Sequence, residues 1–215
     1  MAEIRYYLVA GGRAPFAEWF AELDSIARAK ITRAIARLGQ GNVSNVKSVG
    51  EGVLEYRIDF GPGYRVYFGR DGDALVILLT GGTKKRQQRD IGRPTPSGRT
   101  TSRAGGAERR TTMARTKSFQ DLVQAHVKRD KKFAEALLRE GIDAMLSGDL
   151  DTGKTILRDY IKATVGFEKL GAATDTPPKS LIRMFGPRGN PQAKNLFSVL
   201  GYLQKRAGVR LRVAA

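Results

Sequence analysis

Residues 92–112 read GRPTPSGRTTSRAGGAERRTT and contain no aromatic residue and no Val, Ile or Leu. Such a segment has too little apolar surface to bury against its chain entropy, so no single core can run through it. The wider stretch 84–117 holds eleven Lys or Arg against two acids, with Gly and Pro scattered along it. It is expected to be disordered or loosely bound. The chain of 215 residues is thereby divided into two parts of ordinary domain size. The expected organisation is a first domain over 1–91, a basic flexible linker over 92–117 and a second domain over 118–215.

The first part changes its hydrophobic period midway. Residues 4–9, IRYYLV, predict a short strand. Pro15 suits the first turn of a helix, where its missing N–H costs nothing, and Phe16, Trp19, Phe20 and Leu23 recur at helical spacing. Asp24 or Ser25 can cap a second helix. Its predicted inner stripe is Ile26, Ile31, Ile35 and Leu38, with Arg28, Lys30, Arg33 and Arg37 outside, and Gly39 and Gly41 ending it. The period then falls to two. In VLEYRIDF, Leu54, Tyr56, Ile58 and Phe60 form one phase, predicted to face the core; Val53, Glu55, Arg57 and Asp59 form the other, predicted to face out. After a Gly61-Pro62-Gly63 turn, Tyr64–Phe68 alternates again. Asp71-Gly72-Asp73 signals a hairpin, and Ala74–Leu79 is continuously apolar, as a strand buried on both faces would be. The prediction is a strand, two helices and a three-stranded antiparallel meander.

The part from 118 is helical in period throughout. Phe119, Leu122 and Val123 make one stripe, and Phe133, Ala134, Leu137, Leu138 and Ile142 another. Asp151 is a cap candidate for a helix carrying Ile156, Leu157, Tyr160 and Ile161. A short helix at Phe167 and Leu170 is followed by Asp175-Thr176-Pro177-Pro178, a helix restart with Leu181, Ile182 and Phe185 inward. A GPRGNP loop precedes a last helix with Leu196, Val199, Leu200 and Leu203, and 209–213 suit a closing strand. The overall class is α+β, with an all-α second domain.

The formal net charge is +17, which points to a polyanionic partner. The chain has no Cys and one His, His126, placed in a solvated run; disulfides and thiolate metal sites are excluded, and a zinc site would need mostly carboxylates and is not expected. No metal and no cofactor are expected. No leader-like apolar run and no membrane-length apolar stretch is seen, so the expectation is a cytoplasmic protein with no membrane partner. GGR at 11–13 and GGTKK at 81–85 lack the spacing of a nucleotide loop and are taken as turns.

Two clusters remain as candidate sites. Arg57, Arg65 and Tyr67 lie in the outward phase of the meander, Lys47 just before it, and Lys84, Lys85 and Arg86 just after it. Displayed together they would hold a phosphodiester backbone, with Tyr67 stacking on a base or moving a proton. With no His there, RNA cleavage would rest on 2′-hydroxyl attack, the cations stabilising the charged phosphate. The alternative is a solvated charged face whose Tyr edges the core, and Arg57 and Arg65 share a face only if the register pairs them. The second cluster is the short-helix pair at 166–185. It has helix-turn-helix form, with Thr174, Thr176, Lys179, Ser180 and Arg183 near the start or outer face of the second helix, where base edges and phosphates would be met. Its alternative is an ordinary helical bundle.

VLEYRIDFGPGYRVYF followed by ALVILLTGGTKKRQQRDI resembles the RelE/HigB-type toxins of bacterial toxin–antitoxin pairs, in the phage-related addiction module killer branch, and PFAEWFAEL with ARAKITRAIARLGQGN fits that branch. The resemblance covers about residues 1–91. It implies a small α+β ribonuclease, two helices on an antiparallel sheet, cutting mRNA on the ribosome, with Arg57, Arg65, Tyr67 and Lys84 as catalytic positions and Lys47, Lys85 and Arg86 as RNA-binding ones. From Met113, FAEALLREGIDAMLSGDLDTGKTILRDYIKATVGFEKLGAATDTPPKSLIRMF with the GPRGNP loop resembles the HigA-like helix-turn-helix antitoxins. That implies toxin silencing, in cis or swapped within a homodimer, and autorepression through operator DNA. Such toxins usually continue after RDI with a terminal helix, which 92–112 does not provide; two neighbouring genes joined after residue 91 would explain it. The expected function is a fused toxin–antitoxin protein with a latent, metal-independent endoribonuclease. The alternative is a non-catalytic DNA-binding regulator whose toxin-like half is a degenerate docking or dimerisation module.

Overall fold

The computed structural model describes residues 2–72, 75–83 and 116–209. The candidates Lys84, Lys85 and Arg86, the seam at 92–113 and nearly all of the closing strand at 209–213 lie outside them. The chain divides into two compact units, Met1–Leu122 and Val123–Ala215. Thr116 and Lys117, expected in the linker, and Ser118–Leu122, expected in the second domain, thus belong to the first unit.

In the first unit β1 (Glu3–Tyr7) leads through α1 (Pro15–Glu22) and α2 (Ser25–Gly39) to β2 (Val46–Gly50), β3 (Val53–Ile58), β4 (Tyr64–Asp71) and β5 (Leu75–Thr83); β6 (Thr116–Ser118) and the first turn of α3 (Phe119–Arg129) complete it. The strand order is β2-β3-β4-β5-β1-β6. The predicted meander is present, lengthened by the edge strand β2. The sheet is mixed where an antiparallel one is expected: β2 to β5 pair antiparallel in turn, whereas β5 runs parallel to β1.

Local chemistry explains the helices. Pro15 opens α1, and the Asp24 carboxylate caps α2 by accepting from Ile26 N at 3.0 Å and Ala27 N at 2.9 Å. The buried face of α2 is Ala27, Ile31, Ala34, Ile35 and Leu38, a regular i, i+4, i+7, i+8, i+11 progression. Ile26 is off that progression and is exposed, while Arg28, expected outside, is buried. The Arg28 guanidinium donates to Phe20 O (3.1 Å), Ala21 O (3.1 Å) and Leu23 O (2.7 Å). These are carbonyls that the end of α1 leaves without helical donors. Gly81, expected in a turn, lies inside β5. A Cβ there would overlap the Trp19 ring of α1, so glycine lets the helix sit down on the sheet.

The second unit holds the rest of α3 with α4 (Lys131–Leu146), α5 (Leu150–Ala163), α6 (Phe167–Thr174), α7 (Pro178–Met184) and α8 (Ala193–Ala207). Its core is built from Phe133, Leu137, Leu138 and Ile142 of α4, Ile156, Leu157 and Ile161 of α5, and Leu170, Leu181, Phe185, Val199 and Leu203 beyond. Helices α4 and α5 cross at Gly141 and Gly153, where a Cβ on Gly153 would run into Met145 and the Gly141 carbonyl. Asp149, rather than Asp151, caps α5, while Asp151 pairs with the buried Lys154 ammonium at 2.8 Å. Lys154 also donates to Gly189 O at 2.7 Å and so pins the loop before α8. Ile182 is exposed, because the inward positions of the short α7 are Leu181 and Met184, followed by Phe185. Among the described residues no helix is long and apolar enough to cross a membrane.

Candidate functional site

Sheet register decides which side chains share a face. Arg57 pairs directly with Arg65, Glu55 with Tyr67, and Lys47 with Glu55. Directly opposed residues project to the same side of a sheet, and so do residues two apart on one strand. Lys47, Glu55, Arg57, Arg65 and Tyr67 therefore lie on one face of β2–β4. Tyr64, Val66 and Phe68 project to the other, where Trp19 of α1 packs near Tyr64 with ring centroids 6.4 Å apart.

This face is not the open one that the alternation suggests. Glu55 is 1% exposed, Tyr67 5% and Arg65 9%, whereas Lys47 is exposed and the Arg57 side chain keeps 40% exposure. Two guanidiniums placed directly opposite one another repel unless an anion lies between them. Glu55 supplies it. Its Oε1 accepts from Arg57 Nε at 2.7 Å and from Arg65 Nη1 at 2.6 Å. The Arg65 Nε is buried and, among the described residues, meets no hydrogen-bond acceptor. The face thus combines a reachable cation, Arg57, a buried cation with donor capacity left, Arg65, and a tyrosine beside them. Any phosphodiester oxygen brought to this face would have to compete for the donors that Glu55 occupies. Sequence reasoning passed over Glu55, although its signal was present: an acid two residues before Arg57 in a strand must share the arginine's face.

The second cluster has the predicted order of elements. Helix α6 ends at Asp175, which adopts a left-handed conformation with φ 47°, and α7 starts at Pro178. Asp175 therefore closes α6 and does not cap α7. Gly171 allows the close approach, since a Cβ there would stand 2.7 Å from Thr176 O and 3.1 Å from Pro178 Cγ. The Thr174 hydroxyl donates to Leu170 O at 2.8 Å and the Thr176 hydroxyl to Thr174 O at 3.0 Å, so both serve the local backbone. Ser180 is half-buried. Lys179 and Arg183, one turn apart on α7, are exposed and free to meet a polyanion together. Among the described residues no cluster of three or more His, Asp or Glu is arranged to hold a metal ion.

No solved structure matches this chain. A protein of Haemophilus influenzae (strain ATCC 51907 / DSM 11121 / KW20 / Rd), described as "Uncharacterized protein", is 48% identical over 77 residues, which is 35% of this chain and 78% of that protein. The family model described as "Phage derived protein Gp49-like (DUF891)" matches residues 18–93, the stretch that carries Glu55, Arg57, Arg65 and Tyr67. Through that stretch, the chain belongs to the Gp49-like family of phage-derived proteins.

Proposed function

We propose that this chain is a fused toxin–antitoxin protein. In this reading the Gp49-like unit is a metal-independent mRNA endonuclease held latent, and the C-terminal helices bind operator DNA and silence the toxin unit. The Gp49-like family is toxin-like, which supplies the context. The observation that carries the nuclease reading is the direct pairing of Arg57 with Arg65, beside Tyr67, on one face of the sheet. Two guanidiniums there would bind the scissile phosphate and stabilise its charge during 2′-hydroxyl attack, with Tyr67 as the proton-transfer group. Burial of Arg65 and Tyr67 supports latency, since RNA reaches them only after a rearrangement. Lys179 and Arg183 on α7 support the DNA-binding part.

The test is expression of residues 1–122, the compact first unit, rather than 1–91, which would lack β6 and Phe119. Growth arrest with ribosome-dependent mRNA cleavage, both lost in Arg65→Ala, is the expected result. One observation favours a second reading, the non-catalytic DNA-binding regulator: Glu55 already occupies a donor of each arginine and offsets one of their two charges. Normal growth with folded, soluble 1–122 removes the nuclease and leaves that reading.

A further inference from the structure

Strand β6 and Phe119 come from beyond residue 93, outside the stretch that matches the family, yet they are built into that unit. β6 pairs antiparallel with β1 in the register Arg5 with Ser118, Tyr6 with Lys117 and Tyr7 with Thr116. Arg5 grips the incoming strand twice, its Nε donating to Thr116 Oγ1 at 2.7 Å and its Nη2 to Thr116 O at 3.0 Å. Ser118 Oγ accepts from Asp121 N at 3.3 Å as the strand turns into α3. Phe119 then inserts edge-on between two rings of α1, with centroids 5.9 Å from Phe16 and 5.7 Å from Phe20. Thr116 and Phe119 are 5% and 4% exposed, and Phe16 and Phe20 are fully buried.

We propose that the β1 edge and the Phe16/Phe20 pair form a binding site for an extended peptide, and that Thr116–Leu122 is the ligand this chain supplies to it. The chemistry is strand addition with an aromatic anchor: main-chain hydrogen bonds hold the strand, and the ring one residue past it confers selectivity. A sheet edge left without β6 would present unpaired backbone groups, which gives the site its affinity. β1 and β5 stand between the docked strand and β4, so the peptide is an anchor and does not bond to the strands that carry Arg57 and Arg65. The inference is independent of any nuclease activity.

The test uses the full-length chain with Thr116, Lys117, Ser118 and Phe119 all replaced by Gly, which vacates the site. A fluorescent peptide of residues 113–124 is titrated into it and followed by anisotropy. The expected result is saturable binding, at least tenfold weaker when the peptide carries Phe119→Ala, and at least tenfold weaker to the wild-type chain, whose site is filled. Equal binding by the two peptides, or none to the vacated chain, overturns the proposal. Should the vacated chain not fold, hydrogen exchange in full-length Arg5→Lys decides. Exchange of the β1 amides at least tenfold faster, with β3 and β4 unchanged, upholds the site. Unchanged β1 exchange overturns it.

Discussion

Replacing Glu55 tests whether the arginine face is held together by one buried carboxylate. Glu55 is 1% exposed and takes hydrogen bonds from two guanidiniums on a single oxygen. Glu55→Leu leaves Arg65, with 11% side-chain exposure, as a buried cation beside a second cation. Removing one member of a buried pair costs about 3–5 kcal/mol. Glu55→Gln keeps the shape and one acceptor but loses the charge, so its cost is nearer that of a charged hydrogen bond, about 1.5–3 kcal/mol. Arg57→Met is expected to cost under about 1 kcal/mol, because Arg57 keeps 40% exposure and water already screens its pair. Trp19 is the single Trp of the chain and packs in the first unit, so its fluorescence during urea unfolding reports that unit alone. At a slope of about 2 kcal/mol per molar urea, Glu55→Leu should lower the midpoint by roughly 2 M and Arg57→Met by less than about 0.5 M. Equal shifts for the two, or a shift below about 0.3 M for Glu55→Leu, would refute the reasoning.

Four further outcomes are expected. Gly81→Ala forces Trp19 off the sheet and should lower stability by about 1–3 kcal/mol while shifting tryptophan emission; an unchanged spectrum and midpoint would show that the helix yields freely. Arg28→Met strips donors from three carbonyls at the end of α1, and a loss of about 1–3 kcal/mol in the same urea assay is expected, with no loss counting against the capping role. Burial, helped by the Glu135 charge and opposed by that of Arg206, raises the Tyr160 phenol above its ordinary value. A raised folded-state value means its contribution is fully present below about pH 10 and is lost as pH rises above that, so melting temperature should fall in alkaline buffer and fall less in Tyr160→Phe. If α7 meets DNA, the double variant Lys179→Ala, Arg183→Ala should flatten the slope of log affinity against log salt by about 1.8, and an unchanged slope removes both residues from the interface.

The meander was legible because a period of two is written plainly in VLEYRIDF and YRVYF, and the helix pair because Asp24 and Pro15 mark its starts. What alternation cannot say is whether the second phase of a strand meets water. Glu55 and Arg65 could be buried because they neutralise each other, and that depends on a cross-strand register set by the 61–63 turn. Ile26 and Arg28 exchanged their expected places for a similar reason. The three carbonyls that Arg28 satisfies belong to a different helix, whose end point the α2 periodicity does not contain. β6 was out of reach because three residues of TKS carry almost no strand signal, and pairing with β1 across 111 residues between Arg5 and Thr116 is a long-range choice. In the second unit the α6–α7 pair was visible through Thr176-Pro177-Pro178, while the cap of α5 is Asp149, two residues before the expected Asp151 and within the usual uncertainty at helix ends.

The place of β1 in the sheet also sets an order of events during synthesis. β1 is the first strand to be made, but both of its neighbours, β5 and β6, come from the last strands. The growing chain can close the α1–α2 turn and the β2–β5 meander early, through local contacts that form fast. The first strand must then wait, with one side free until β5 arrives and the other free until Thr116–Ser118 has emerged. Any stall before residue 116 therefore leaves a Gp49-like unit with its opening strand exposed along one side. Such a fragment would be a ready substrate for proteases and for strand-to-strand aggregation. In this chain a finished toxin-like fold signals that translation has already passed the basic segment.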